Sequence, residues 1–254
     1  MHKVTPKKRL GQHFLKDLNI ARKIIGSVPH YKYPVVEIGP GTGVLTRFLI
    51  SQENMFYAFD VDQESIEFLK NEYPDHAEHF VLGDFLKLKM ESYIDGKFIV
   101  LGNFPYNISS QLFFKILDYR QQVDEVICMI QKEVAERICS GPGSKTYGIL
   151  SVLLQAFFVP KYLFTASEKV FIPPPKVKSA VMSLSRNEVS NLDCDETLFF
   201  KIVKKAFNQR RKTIRNSLKE FELLNVEKEL LGMRPEQLCV QDFVNIVQKV
   251  NPYL

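Results

Sequence analysis

The chain has 254 residues, 45% hydrophobic and 25% charged, an ordinary globular composition that buries a core without a metal or disulfide staple. A formal net charge of +5 is mildly basic and excludes neither a nucleic acid nor a neutral metabolite as partner. Four scattered cysteines, Cys128, Cys139, Cys194 and Cys239, show no zinc spacing and read as buried reduced thiols, while residues 1–18 lack the apolar core of a secretory signal and no run reaches membrane-span length, so a cytoplasmic chain without membrane or metal is expected.

In chain order, residues 18–28 read as a helix capped by Asp17. Residues 35–38 are a short β-branched strand ending in glycines, and 45–52 a helix. Residues 55–59 form a strand closed by Asp60, and Asp62 caps a helix over 65–73. Residues 80–82 are a strand ending at Asp84, and 98–101 a strand ending at Asn103. A helix over 109–119 and a strand over 125–130 complete an alternation that calls for a mostly parallel sheet with helices on both faces, the α/β class. Residues 141–144 are a loop by turn chemistry. Residues 147–158 are helical, and 162–164 and 180–185 are strands flanking Pro173-Pro174-Pro175. Composition shifts at 187–195, and afterwards every periodic segment is helical: 196–207, 212–221, 227–231 and 240–250. The expected division is therefore 1–186 and 187–254.

Between the first strand and its helix stands Glu37-Ile38-Gly39-Pro40-Gly41-Thr42-Gly43. Glycines there permit a tight turn and close approach of the backbone to a ligand; a turn with no ligand would look similar. The spacing is G-x-G-x-G, unlike the G-x-G-x-x-G of dinucleotide binders. Asp60 ends the second strand, a usual place for an acid on ribose hydroxyls, and Asp84 ends the third, placed to accept from an adenine amine. In open parallel sheets ligands sit beyond the carboxyl ends of the strands, where Gly39, Asp60, Asp84 and Asn103 all fall. Asp62 reads as a helix cap.

Asn103-Phe104-Pro105-Tyr106 follows the fourth strand. Methyl transfer from a sulfonium needs a nucleophile held in line. The N6 amine of adenine is a poor one because its lone pair is delocalised. Two acceptors on its hydrogens make it more pyramidal and more nucleophilic, and the Asn103 side chain and the Phe104 carbonyl, held by Pro105, suit that task. Tyr106 offers a face for the base, worth roughly 1–3 kcal/mol. Phe171, ahead of the stiff triple-proline segment, is either a second stacking face or a core phenylalanine. No Pro-Cys nucleophile is present.

These residues, together with Leu10-Gly11-Gln12-His13-Phe14-Leu15, Gly83-Asp84, Phe171-x-Pro-Pro-Pro-Lys-Val-x-Ser-Ala-Val and Phe207-Asn208-Gln209-Arg210-Arg211-Lys212, give the chain a resemblance, through nearly its whole length, to the ribosomal RNA adenine N6,N6-dimethyltransferases. The resemblance implies a Rossmann-like class I methyltransferase domain with a small all-helical C-terminal domain. It implies S-adenosyl-L-methionine as cofactor, contacted by His13, Leu15, Gly39, Gly41, Asp60, Asp84 and Asn103. The family often has Asn at the His13 position and Glu at the Asp60 position. The shorter Asp60 leaves its ribose contact open, with Asp62 able to compensate. Without the resemblance, His13 reads as a surface histidine.

Lys204, Lys205, Arg210, Arg211, Lys212 and Arg215 crowd one helical stretch, suited to phosphates or simply solvated. Lys7, Lys8 and Arg9 cluster near the N-terminus, with an importin signal as the competing reading, and without the resemblance Gln12-His13-Phe14 reads as a basic N-terminal arm leading into a helix. The resemblance implies, as substrate, two adjacent adenosines near the 3′ end of small-subunit (16S) rRNA within an immature small subunit, and a monomer is expected. Two competing readings remain: a large-subunit rRNA adenine methyltransferase of the macrolide-resistance type, and a non-catalytic ribosome-assembly factor on the same fold. The triple-proline segment and compact basic cluster favour the small-subunit reading over both.

Overall fold

The computed structural model describes residues 4–29, 32–52 and 54–251; residues 1–3 of the first expected domain and 252–254 of the second lie outside the described residues. The chain begins with β1 (Phe14–Leu15) and α1 (Leu18–Ile25), then alternates β2 (Val35–Ile38), α2 (Thr46–Ile50), β3 (Phe56–Asp60), α3 (Gln63–Glu72), β4 (Phe80–Leu82), β5 (Phe98–Asn103), α4 (Ser109–Asp118) and β6 (Val123–Gln131). The central strands are near-continuous apolar runs because both faces are covered, interrupted in β2 by Glu37: Val35 and Val36 of β2, and Phe98 through Leu101 of β5, are fully buried. Asp17 accepts from the Asn19 and Ile20 N–H groups at 2.8 and 3.1 Å, capping α1 as expected. That helix then buries Ala21, Ile24 and Ile25 on one face.

After β6 come α5 (Lys132–Cys139), α6 (Ile149–Gln155), β7 (Phe158–Ala166), β8 (Phe171–Ile172) and β9 (Ser179–Arg186). Seven strands form one sheet in the order β4-β3-β2-β5-β6-β9-β7. The pairs from β4 through β6 are parallel, and β9 runs antiparallel to β6. From β2 the chain winds outward to β3 and β4, then returns to β5 on the other side. The switch point, where an open sheet leaves a crevice, therefore lies between β2 and β5. Gly102 sits there because a Cβ would meet the Ile38 carbonyl oxygen at 2.5 Å. A separate ribbon pairs β1 with β8, Leu15 opposite Phe171.

The chain divides into two compact units. One comprises Met1–Ala135 with Lys161–Arg186; the other comprises Glu136–Pro160 with Asn187–Leu254. Residue 187 is thus a boundary, but 136–160, expected in the first domain, belong with the C-terminal helices. The reason is burial: α6 hides Leu150 and Val152 through Leu154 and packs on α7 (Glu196–Asn208) and α10 (Val240–Gln248). Asp195 caps α7 through the Leu198 N–H at 2.9 Å. The expected helix over 212–221 is confined to α8 (Ile214–Ser217), and α9 spans Lys228–Gly232. All four cysteines are free, but only Cys128 is buried; the others are partly exposed. Among the described residues no helix is long and apolar enough to cross a membrane.

Candidate functional site

A cleft of about 470 Å³ opens beyond the carboxyl ends of β2 and β5. Its floor is the turn after β2 and the segment after β5, and the N-terminal arm (residues 10–14) forms another wall. Gly41 holds φ at +55°, and a Cβ there would stand 2.8 Å from the Phe14 ring. The glycine turn is thus shaped both by a left-handed backbone that glycine alone adopts freely and by close contact with the arm. Beneath it, Glu37 is buried and accepts from the Thr46 hydroxyl at 2.7 Å. Burial pushes its carboxyl up to about 8. This pin joins the end of β2 to the start of α2; the motif contained Glu37, but nothing in the spacing identified its partner.

Asp60 lines the cleft. One carboxylate oxygen accepts from the Asp62 N–H at 2.9 Å and the other from the Gly41 N–H at 3.3 Å. Burial pushes Asp60 up to about 6 despite those bonds. Val61 beside it is 51% exposed and also lines the cleft. Asp62 caps α3 through the Glu64 N–H and is engaged by the Lys7 ammonium and, at 3.1 Å, by the Gln12 amide. Burial raises its carboxyl, but the hydrogen bonds from Lys7 and Gln12 prevail and hold it below its ordinary value. Asp62 is 2% exposed, so it has no group to spare for a ribose.

Asn103 lines this cleft and a smaller neighbouring one of about 280 Å³, which Leu15 also lines. Its side-chain nitrogen donates to the His13 carbonyl at 2.8 Å, which fixes the amide and leaves its oxygen as the acceptor end. The Phe104 ring is buried, while the Phe104 N–H donates to the Met129 carbonyl at 3.0 Å. Pro105 follows, and its carbonyl accepts from the Ile108 N–H at 3.2 Å, closing a rigid turn. Tyr106 is half-buried, its hydroxyl hydrogen-bonded to that of Ser179. Its ring stacks on His13, centroids 5.6 Å apart and planes 28° apart. The His13 Nδ1 lies 2.8 Å from the Pro173 carbonyl; a carbonyl only accepts, so Nδ1 carries the proton. His13 is therefore a wall of the cleft.

Phe171 and Asp84 do not line the cleft. Phe171 is 1% exposed and packs in the core with Leu15, Ala166 and Val181. Its pairing with Leu15 across the β1–β8 ribbon buries the ring, so the core alternative holds and no stacking face is offered. Asp84 lies at the end of β4 as expected, but it accepts from the Leu86 N–H at 3.0 Å and pairs with Lys87 at 3.6 Å. It lines neither cleft.

In the second unit the basic stretch is not uniform. Lys205 pairs with Glu220. Arg210 donates to the Lys145 carbonyl and stands 3.8 Å from Glu236. Arg211, Lys212 and Arg215 are exposed. Among the described residues no group of three or more His, Cys, Asp or Glu side chains is arranged to hold a metal ion.

A family model described as ribosomal RNA adenine dimethylase matches residues 3–250. Proteins named ribosomal RNA small subunit methyltransferase A from Parabacteroides distasonis and Flavobacterium johnsoniae are each 52% identical, covering 97% and 98% of this chain and 94% and 97% of their own. Among solved structures, a dimethyladenosine transferase from Plasmodium falciparum superposes with a TM-score of 0.78 at 24% identity, over 93% of this chain and 96% of that one. The 23S rRNA methyltransferase ErmE gives 0.69 at 22%, over 92% and 99%. At those identities the two structures establish the shared fold.

Proposed function

Because the chain belongs to the ribosomal RNA adenine dimethylase family, we propose that it transfers methyl groups from S-adenosylmethionine to N6 of two adjacent adenosines near the 3′ end of small-subunit rRNA, acting as a cytoplasmic monomer on an immature small subunit. The observation that carries the reading is the Asn103 amide, held by the His13 carbonyl at the switch point of the sheet with its oxygen left as an acceptor.

The surfaces of the cleft fit the cofactor. Gly39 and Gly41 leave room for close backbone approach, Asp60 supplies carboxylate oxygens for ribose hydroxyls, and Val61 gives a purine an apolar contact. Leu15 and the His13 wall complete the enclosure from the arm. When bound, S-adenosylmethionine supplies a sulfonium-activated methyl group.

The chain's own residues hold the amine. The Asn103 oxygen and the Phe104 carbonyl accept the two N6 hydrogens and localise the nitrogen lone pair. Tyr106 takes the base on its face, its tilt set by Ser179 and His13. An amine that has just gained a methyl group is strongly acidic, so water suffices to remove its proton and no side-chain base is required. The base must leave its stack to reach the site, which costs least in a loop or single-stranded end. Arg211, Lys212 and Arg215 suit phosphate contact, whereas Lys205 and Arg210 are engaged within their own unit.

Immature small subunits incubated with the protein and cofactor, then mapped by mass spectrometry, should show two adjacent N6,N6-dimethyladenosines near the rRNA 3′ end. Label appearing only in large-subunit RNA would refute the substrate, and cofactor binding with no transfer to RNA would refute the enzyme.

A further inference from the structure

A second recess, of about 960 Å³, lies between the N-terminal arm and the proline loop. It shares Gly11, Gln12, His13 and Tyr106 with the cleft, so the stacked His13 and Tyr106 rings form a wall common to both. Its own lining is apolar and stiff: Pro173, Pro174 and Val177, the last 46% exposed. Gln131, at the end of β6, adds an amide. Lys8 and Lys176 also line it, both exposed, and no acidic side chain does. Apart from the Pro173 carbonyl that orients His13, none of these groups takes part in holding the cofactor or the target amine.

Apolar faces left open in a concave site call for a ligand. Proline and valine surfaces accept the flat face of a base without reading its edge, an amide offers one donor and one acceptor to that edge, and two lysines without acids nearby suit phosphodiester oxygens. A recess one shared wall away from the target site is within reach of a single nucleotide step. We infer that it holds the nucleotide next to the one being methylated. The inference rests on the reading of the chain as an enzyme for two adjacent adenosines. While one adenosine presents its amine to Asn103, its neighbour lies across the His13–Tyr106 wall, base on Pro174 and Val177, phosphate between Lys8 and Lys176. A shift of one nucleotide then exchanges the two.

The test uses the full chain and immature small subunits reconstituted with rRNA that carries either both adenosines or one adenosine beside an abasic nucleotide. Wild type should lose about tenfold in kcat/KM per remaining adenosine when its neighbour has no base. Val177→Asp, at an exposed position, should lose about tenfold on the intact pair and nothing further on the abasic substrate, with cofactor affinity unchanged. Independent, multiplying losses would overturn the inference. So would an active wild type indifferent to the missing base. A wild type that methylates no adenosine in either substrate would instead overturn the functional reading beneath it. As a second readout, 2-aminopurine at the neighbour position should be quenched on binding to cofactor-free wild type and not to Val177→Asp; equal quenching in both would contradict the recess.

Discussion

The floor of the cleft and the arm that covers it are built differently. The floor is backbone geometry: the left-handed Gly41, the tight approach of Gly102 to Ile38, and a proline turn bonded to β6. The arm is fastened by a few long-range side-chain contacts: Lys7 and Gln12 on Asp62, Asn103 on the His13 carbonyl, and His13 on Pro173. A floor fixed by its own chain suits the reacting atoms, which tolerate little misplacement. An arm fastened at separate points suits enclosure and release. Changes in the floor should therefore cost turnover, and changes in the arm should cost cofactor affinity.

The largest effect is expected at Asn103. Asn103→Ala should slow methyl transfer by ~10²–10³, the usual cost of losing one polarising group, while RNA affinity, measured by filter binding, stays within a few-fold. Gly41→Ala tests the point where floor and arm meet. Left-handed strain of ~1–2 kcal/mol, with displacement of Phe14, should weaken cofactor binding about tenfold by calorimetry. Lys7→Ala removes one fastening, a part-buried ion pair, and leaves Gln12 on the same Asp62 carboxylate, so a rise of only about threefold in cofactor Kd is expected. Removing Arg211, Lys212 and Arg215 together touches neither region. It should leave cofactor affinity unchanged and flatten the log–log salt slope of RNA binding by about 2.

The smallest effect concerns Glu37. Its folded carboxyl titrates at about 8, against an ordinary 4.5. The native state keeps that proton over a range where the unfolded chain has lost it, so this residue's contribution to stability falls as pH rises from about 4.5 to about 8 and is level outside that window. Glu37→Gln should make urea midpoints less dependent on pH there; an unchanged pH dependence would show that the carboxyl is not held protonated.

The same contrast explains what the sequence disclosed. The strands ending at Gly39, Asp60, Asp84 and Asn103 were legible because β-branched runs and turn residues are local signals, and the sheet rule then places their ends together. The β1–β8 ribbon was not, because two-residue strands carry no periodicity and pair across more than 150 positions. Phe171 illustrates the consequence: its burial depends on Leu15, which no local pattern reveals. Asp62 is the cap its position predicts, but its engagement by Lys7 and Gln12, which removes it as a ribose ligand, is again long-range. Arg210 looked like a phosphate contact by its neighbours and is tied to Lys145 by the fold. The segment 136–160 precedes the boundary in chain order, yet its apolar helix packs on α7 and α10.

The direct test of the division between floor and arm is the single-turnover transfer rate at saturating cofactor and saturating small subunit, for Asn103→Ala and for the doubly unfastened Lys7→Ala/Gln12→Ala. The arm variant should recover a rate within about twofold of wild type once cofactor is saturating, while Asn103→Ala stays at least ~100-fold slower. An arm variant as slow as Asn103→Ala under saturation, or an Asn103→Ala enzyme restored by excess cofactor, would contradict the account.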